Sequence, residues 1–573
     1  MPFIKKRIDR NQMFIASFDD FIEQDSIARI IDVFVENADL GKLGFTNTTT
    51  SIEGRPCYPA DVYVKLYMYG SLKNVRSSRK LAALCRENIE VMWLLDGLTP
   101  DFRSISDFRK INTDKTMKKL FKELRNRILI DIKTGDISVD GSKFQANNSK
   151  DNNFTLNKLD ERISWLRAHC GEYLRLIDLI DAKEEAEEEL PDTFTKEELQ
   201  TKLDETRKRL EKYESYRDYM EQKHLSQLSL IDADSKLMKA KDGMQVSYNI
   251  QTAVDTEQHI IMDYKTTNEC ADNGLLYPTV KDIKAEADEQ IIHALADTGY
   301  QEADDIMNCL DNGVIPNVIL PEGKDEYELE VDYEEAQDCD PTSTKPEQLK
   351  KCLHSGIVPD AYKGIVETEV TEVRFKVEDE VAQLPEYTEA ELLAKAQSGY
   401  FVRDINADKV YCPFGEILRL KSVKKNGSKR YANKPACKKC RFYAQCVTSR
   451  KINWKEIDFC KNSIEKKAQW FTCENPCELP SKPMKKAKYH LERKRVVKIK
   501  FRPNRKKMDK RKCTSEHPFG TMKRSMDAKY FLLRGMSKVD GEFALIAMGY
   551  NLRRAINMYS FEELIRKLGR KAA

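Results

Sequence analysis

The strongest constraint on the fold is a change of period at Asp136, where helical spacing gives way to alternation. DISVDGSKF (136–144) alternates like a strand and ends in a polar turn, and VSYNIQTAV (246–254) with HIIMDYKT (259–266) reads as a hairpin around Asp255. Leu275–Ala287 then reads as a helix, QIIHALA (290–296) as an apolar strand, Gln301–Asn312 as a second helix and VIPNVIL (314–320) as a further strand. The order is βββαβαβ. Three strands able to pair antiparallel, followed by α/β crossovers, predict a mixed sheet covered by helices, which only a few folds satisfy.

At 573 residues the chain is long enough for several compact units, and the core is expected in pieces. Residues 1–128 read as a helical N-terminal domain for DNA binding or dimerisation, with FDDFIEQDSIARIIDVFVENADL as one amphipathic helix and ADVYVKLYMYGSL as another. RSSRKLAALCREN sets Arg76, Arg79 and Lys80 near a helix start, and DGLTPDFRSISDFRK follows, an arrangement like a helix-turn-helix. An all-helical packing module with ordinary surface charges is the alternative. The core is expected over 129–156, 229–320 and 505–573. A charged helical hairpin over 157–228 interrupts it, with Leu199, Leu203, Thr206, Leu210, Tyr213 and Met220 at heptad spacing and PDTF (191–194) as its turn; an interaction arm is its expected role. A second, α+β insertion over 321–504 opens on an acidic stretch, Pro321–Asp340, with ten acids and one lysine, expected to be a solvated loop.

The net charge of +3 conceals segregation. From Ser481 to Arg524 there are 18 Lys or Arg against Glu492, Asp509 and Glu516, a local net of +15 that should seek polyanions. No apolar run approaches the ~20 residues that span a bilayer, and MPFIKKRIDR lacks the apolar stretch of a secretory signal, so a cytoplasmic protein without membrane contact is expected. The 15 cysteines are scattered except for one cluster, which predicts reduced thiols rather than a disulfide framework.

Two acids follow apolar strands, Asp140 in SVDGSKFQAN and Asp297 in LADTGY, where side chains at neighbouring strand ends can converge. Asp before Gly is also an ordinary turn residue. Glu516, in SEHPFGTMKR, is expected to open a helix laid across the same sheet edge, with Ser515 as N-cap and Pro518 in the first turn, so that the helix start favours its ionised form. Converging carboxylates repel by about 4 kcal/mol per pair at ~4 Å and an effective dielectric of 20. Two Mg²⁺ or Mn²⁺ ions held by Asp140, Asp297 and Glu516 would offset that and suit phosphodiester chemistry. Lys523 lies seven residues beyond Glu516, on the same helical face, and is expected to reach a phosphate beside the metals, with Arg511, Lys512 and Arg524 as companions; His517 reads as structural. Cys412, Cys437, Cys440 and Cys446 resemble a zinc ribbon or knuckle, with Cys460 as a substitute ligand and reduced, packed thiols as the alternative; Cys473 and Cys477 are weaker candidates.

Taken together these motifs resemble the DDE transposases of bacterial insertion sequences, specifically the IS eleven-eighty-two group of the IS-four-like superfamily. VDGSKFQAN, ADTGY and EHPFGTMKR look like the three acidic motifs, GRPCYPADVYVKLYMYGSLKNVRSSRKLAALCRENIEVMWLLDGLTPDFRSISDFRK like the N-terminal domain, and FLLRGMSKVDGEFALIAMGYNLRR like the final helices. The resemblance implies a ribonuclease H-like catalytic core, Asp140, Asp297 and Glu516 as the catalytic triad, two divalent ions, and recognition of terminal inverted repeats. It implies cut-and-paste transposition on double-stranded DNA, element ends and target alike, by a homo-oligomer, a dimer in the synaptic complex. A catalytically inactive DNA-binding relative and a metal-dependent nuclease are the competing readings. The superfamily's Tyr-x2-Arg-x3-Glu-x6-Lys signature is kept at Glu516 and Lys523, but Asp509 replaces the tyrosine and Lys512 stands where the arginine belongs, unless Arg511 serves instead.

Overall fold

The computed structural model describes residues 16–49, 57–130, 135–185, 195–241, 243–287, 290–320, 323–335, 338–378, 387–424, 427–448, 452–460, 463–471, 479 and 489–570. By internal contact the chain forms two units, one of residues 1–153, 229–373 and 494–573 and one of 154–228 and 374–493. The stretch read as one insertion, 321–504, is thus divided between them.

The first unit is organised by a six-stranded sheet: β1 (Ile137–Gln145), β2 (Lys236–Ala240), β3 (Gly243–Asp255), β4 (Ile261–Thr267), β5 (Ile292–Ala296) and β6 (Val314–Val318). The long β3 pairs antiparallel with β1 along one edge, and with β2 and then β4 along the other. On the far side of β1, β5 and β6 run parallel, each reached through a crossover helix, Leu276–Glu286 and Ala303–Asp311. This is the mixed sheet expected from the order of the elements, with one further strand, β2, that was not expected; burial on both faces explains why VIPNV reads as a nearly continuous apolar run.

Helices cover the sheet. Met536–Met558 is buried almost all round from Val539 to Leu552, and it packs against the helices Asp114–Leu129 and Ala60–Leu72 and against β4. Such a helix must lie inside a core. The N-terminal helices therefore share one apolar cluster with the sheet. Ion pairs cross the same boundary, from Lys118 to the buried Asp263 at 3.1 Å and from Lys122 to Asp282 at 3.1 Å. The segment read as one long N-terminal helix is broken: a short turn at Phe18–Phe21 precedes Ile27–Glu36, because the Ser26 hydroxyl caps the Ala28 N–H and starts the helix anew.

The acidic stretch is no solvated loop. Tyr327–Asp332 forms a strand antiparallel to Val496–Phe501, within the basic run, and ion pairs join Asp332 to Lys494 (2.6 Å) and Glu326 to Arg502 (3.0 Å). Part of the positive charge expected to seek polyanions is thus neutralised inside the chain. Nearby, Cys339 and Cys352 are disulfide-linked, which corrects the expectation of reduced cysteines throughout.

The second unit holds the helical hairpin, Leu156–Glu185 and Lys196–Gln222, whose expected turn at 191–194 lies outside the described residues. Leu199 and Leu203 meet Ile177 and Ile180 in one cluster, and Met220 meets Leu159 and Ile163 in another, so the helices run antiparallel. The remainder is a six-stranded sheet built from residues 400–467. Among the described residues no helix is long and apolar enough to cross a membrane.

Candidate catalytic site

Register sets the two aspartates level. Ile137 pairs with Ala294 and Ser138 with Leu295 in the parallel β1–β5 ladder, and two residues further the same offset brings Asp140 beside Asp297. Asp140 lies within β1 and accepts the Gly141 N–H at 2.8 Å; Asp297 follows β5 and accepts the Gly299 N–H at 2.9 Å, starting a short turn over Thr298–Tyr300. Burial, Asp297 and a further acid, Asp272, push the Asp140 carboxyl up to about 6, and the Arg511 guanidinium opposes them.

Asp272 escaped the sequence reading. Its Oδ1 accepts from Asn249 (2.8 Å), Gln251 (2.8 Å) and Lys143 (3.1 Å), and the Tyr300 hydroxyl donates to Gln251. This crowding requires a glycine at 141 and leaves little room at Gly299. A Cβ at Gly141 would collide with the Gln251 amide and stand 2.8 Å from Asp272 Oδ1, and one at Gly299 would stand 3.0 Å from Asp297 Oδ1 and 3.8 Å from Asp272 Oδ2. One signal was present in the sequence: Asn249 and Gln251 are amides two apart, on one face of a strand between apolar Val246 and Val254; both are wholly buried, and buried amides demand partners.

The helix carrying Glu516 begins eleven residues earlier than expected. Asn504 is the N-cap, its side chain accepting from Lys506 (3.1 Å) and Lys507 (3.4 Å), and the helix runs Arg505–Gly520 before a π-helical turn at Thr521–Ser525. Ser515 is no cap: it is buried and its hydroxyl donates to the Arg511 carbonyl at 3.1 Å. Pro518 lies inside the helix. The positive helix end therefore falls near Lys506 and Lys507, and Glu516, on an exposed face in a late turn, gains nothing from it. The helix has almost no apolar periodicity within its basic run, which hid its start.

The expected DNA-binding cations separate into groups. Lys523 donates to Ser142 Oγ (2.7 Å) and the Lys143 carbonyl (2.6 Å) and lies 4.5 Å from the Phe144 ring, so it rests on β1 just beyond Asp140. The π-helical turn breaks the simple two-turn spacing from Glu516. Arg511 acts on Asp140, Arg524 is exposed, and the Lys512 side chain is outside the described residues. In the N-terminal helices Arg79 and Lys80 are exposed beside Arg103, with Arg79 stacked 5.3 Å from Phe102. Arg76 is committed elsewhere: it donates to the Asp527 carbonyl (3.1 Å) and pairs at 2.8 Å with Glu542, which is 3% exposed. His517 is held structurally, its Nδ1 3.1 Å from the Tyr550 hydroxyl.

Hard carboxylate oxygens at Asp140, Asp272 and Asp297, crowded enough to raise one of them, are a donor set that fits a divalent cation. Among the described residues no three His, Cys, Asp or Glu side chains already stand at metal-holding spacing. The largest influences on Asp140 are burial, Gly141, Asp297, Arg511 and Asp272.

Three family models match the chain. Residues 16–111 match a transposase domain (DUF772), and two descriptions of a transposase DDE domain match residues 225–377, which include Asp297, and 411–556, which include Glu516. Asp140 lies between the first and second matches. No curated protein and no solved structure matches the chain.

Proposed function

The chain is a DDE-type transposase, and from that premise we propose that it binds the terminal inverted repeats of an insertion sequence and carries out cut-and-paste transposition, in the manner of the IS eleven-eighty-two group. The observation that carries this reading is the level placement of Asp140 and Asp297 at adjacent parallel strands, with Arg511 beside Asp140. Asp140, Asp297 and Glu516 would hold two Mg²⁺ or Mn²⁺ ions. Bound there, such ions would supply a nucleophile at neutral pH and stabilise the leaving oxygen of an in-line displacement at phosphorus.

The residues of the chain supply the rest. Asp140 and Asp297 must be ionised to act as ligands, and the Asp272 cluster with Asn249, Gln251 and Lys143 keeps β1 and β3 rigid behind them. Arg511 offsets the carboxylate charge while no cation is bound, and on DNA binding it is free to turn to a phosphate beside the scissile bond. Lys523 locks the helix to β1, setting the distance between Glu516 and the strand acids. Cleavage and joining are both displacements at phosphorus, so one site performs both. Synapsis of two element ends calls for a homodimer.

Purified protein incubated with Mg²⁺ and duplexes carrying the element's ends tests this: nicked and joined products are expected. Binding without nicking would favour an inactive DNA-binding relative, and nicking without joining a nuclease. Glu516→Gln should lower cleavage at least a hundredfold, about 3 kcal/mol of transition-state stabilisation, with DNA binding retained; full activity in that variant would remove Glu516 from the triad.

The exposed pair Arg79 and Lys80 is the proposed N-terminal contact with the DNA backbone. Replacing both with Ala should reduce the slope of log affinity against log salt by about 2, because each phosphate contact contributes ~0.9. The melting temperature should not change, since neither side chain is buried. An unchanged slope would exclude this face.

A further inference from the structure

The second unit holds a group of side chains that the transposition chemistry does not use. Four free thiols, Cys412, Cys437, Cys440 and Cys446, line a single cavity of about 40 Å³, room for an ion but not for an organic cofactor. They reach it from separate elements. Cys412 follows the strand Lys409–Tyr411 in a tight turn closed by the Gly415 N–H on the Cys412 carbonyl (2.8 Å) and the Cys412 N–H on the Glu416 carbonyl (2.9 Å). Cys437 lies on the short helix Lys434–Lys439, Cys440 immediately follows it, and Cys446 ends Tyr443–Cys446.

Burial pushes the Cys412 and Cys437 thiols up, and the backbone N–H groups of Phe414 and Glu416 at Cys412, and of Lys455 at Cys437, oppose that push. Backbone N–H groups so placed can orient thiolates around a metal once it is bound. Phe414 and Phe442 stack at 4.6 Å, and Trp470 lies 6.1 Å from each, forming an apolar wall beside the cavity. Cys460, the substitute considered from sequence, is exposed and does not line the cavity; Cys473 and Cys477 are outside the described residues.

We propose that Cys412, Cys437, Cys440 and Cys446 bind one structural Zn²⁺ that fastens the Asn433–Cys446 segment to the six-stranded sheet of the second unit. The donor set is four soft thiolates with no open position, which selects tetrahedral zinc over the hard cations suited to the acidic site. The thiols do not yet stand at ligand spacing, so binding would draw them together around the cavity they line. The consequence for the surface is direct. Lys434, Lys438, Lys439 and Arg441 are all exposed on the fastened segment, so the metal would hold a cluster of four cations in one arrangement. A segment with so few buried residues of its own has little else to order it.

The test uses the full chain and is independent of transposition. Elemental analysis of protein purified without added metal should find about one zinc per chain. Replacing zinc with Co²⁺ should give the intense visible bands and thiolate charge-transfer absorption of a tetrahedral sulfur site. Cys440→Ser should weaken both zinc retention and the Co²⁺ bands, and Cys460→Ser should leave both unchanged. Removing zinc should speed tryptic cleavage after Lys438, Lys439 or Arg441 on the order of tenfold or more, with protection restored by adding zinc back, as expected when a ligand holds a local segment closed. The proposal is overturned by protein lacking zinc, by bound iron with inorganic sulfide instead, by a Co²⁺ spectrum insensitive to Cys440→Ser, or by cleavage indifferent to zinc.

Discussion

Asp140→Asn should abolish DNA cleavage and joining, by about a thousandfold or more, while making the metal-free protein more stable above neutral pH. Both effects come from one geometry. Asp140 shares its site with Asp297 and Asp272, and its carboxyl is pushed up to about 6 from an ordinary value of 3.8. A carboxyl whose folded pKa is raised contributes stability that is fully present below about pH 4 and is lost as pH rises through about 6. Metal-free wild type should therefore lose stability across that window. Asp140→Asn removes the buried charge and should gain up to about 3 kcal/mol at pH 8 in EDTA. Adding Mg²⁺ should reverse the ranking, raising the melting temperature of wild type and leaving that of the variant unmoved. Thermal melts from pH 4 to 8, with and without Mg²⁺, measure this. A variant that still cuts DNA, or one no more stable than wild type at pH 8 without metal, would defeat the assignment of Asp140 to the metal-binding cluster.

That site was legible in part. Five of the six strands could be read from local alternation, Lys236–Ala240 excepted, and Asp297 from the turn after its strand; Asp140 was expected at a strand end and instead lies within β1. Asp272 could not, because ECADNGLL is a loop and its partners Asn249 and Gln251 are distant in sequence; only the sheet register brings them together. The Glu516 helix failed for a different reason. Its first two turns are nearly all basic and have no apolar face, so its true cap, Asn504, was passed over in favour of Ser515, which happens to precede a glutamate. The acidic stretch misled through composition: ten acids suggest a solvated loop until the basic strand that neutralises them, some 160 residues further on, is placed beside it. The same blindness to distant partners applies to Arg76, whose local sequence resembles that of Arg79 but whose role does not.

Glu542→Ala should destabilise the protein by about 3–5 kcal/mol, the cost of leaving a buried cation and its companions without their anion. Glu542 sits within the buried Met536–Met558 helix and accepts from the Leu532 N–H (3.0 Å), the Leu533 N–H (2.9 Å) and Arg76 Nη2 (2.8 Å). Arg76 in turn donates to the carbonyls of Asp527 (3.1 Å) and Tyr530 (2.5 Å). The pair is thus a clasp between the N-terminal helices and the segment that leads from the Glu516 helix into the last core helices. Arg76→Ala should cost less, about 1–3 kcal/mol, because Glu542 keeps two backbone donors and only the hydrogen bonds of the guanidinium are lost. The two substitutions should not add: in a double-mutant cycle the second should cost markedly less than it does alone. Arg76→Ala should also leave the salt dependence of DNA binding unchanged, in contrast to Arg79→Ala with Lys80→Ala. Urea unfolding of the three variants, with DNA affinity measured at two salt concentrations, separates the roles. A salt slope that falls on losing Arg76 without loss of stability would return that residue to the DNA interface and break the argument from its partners.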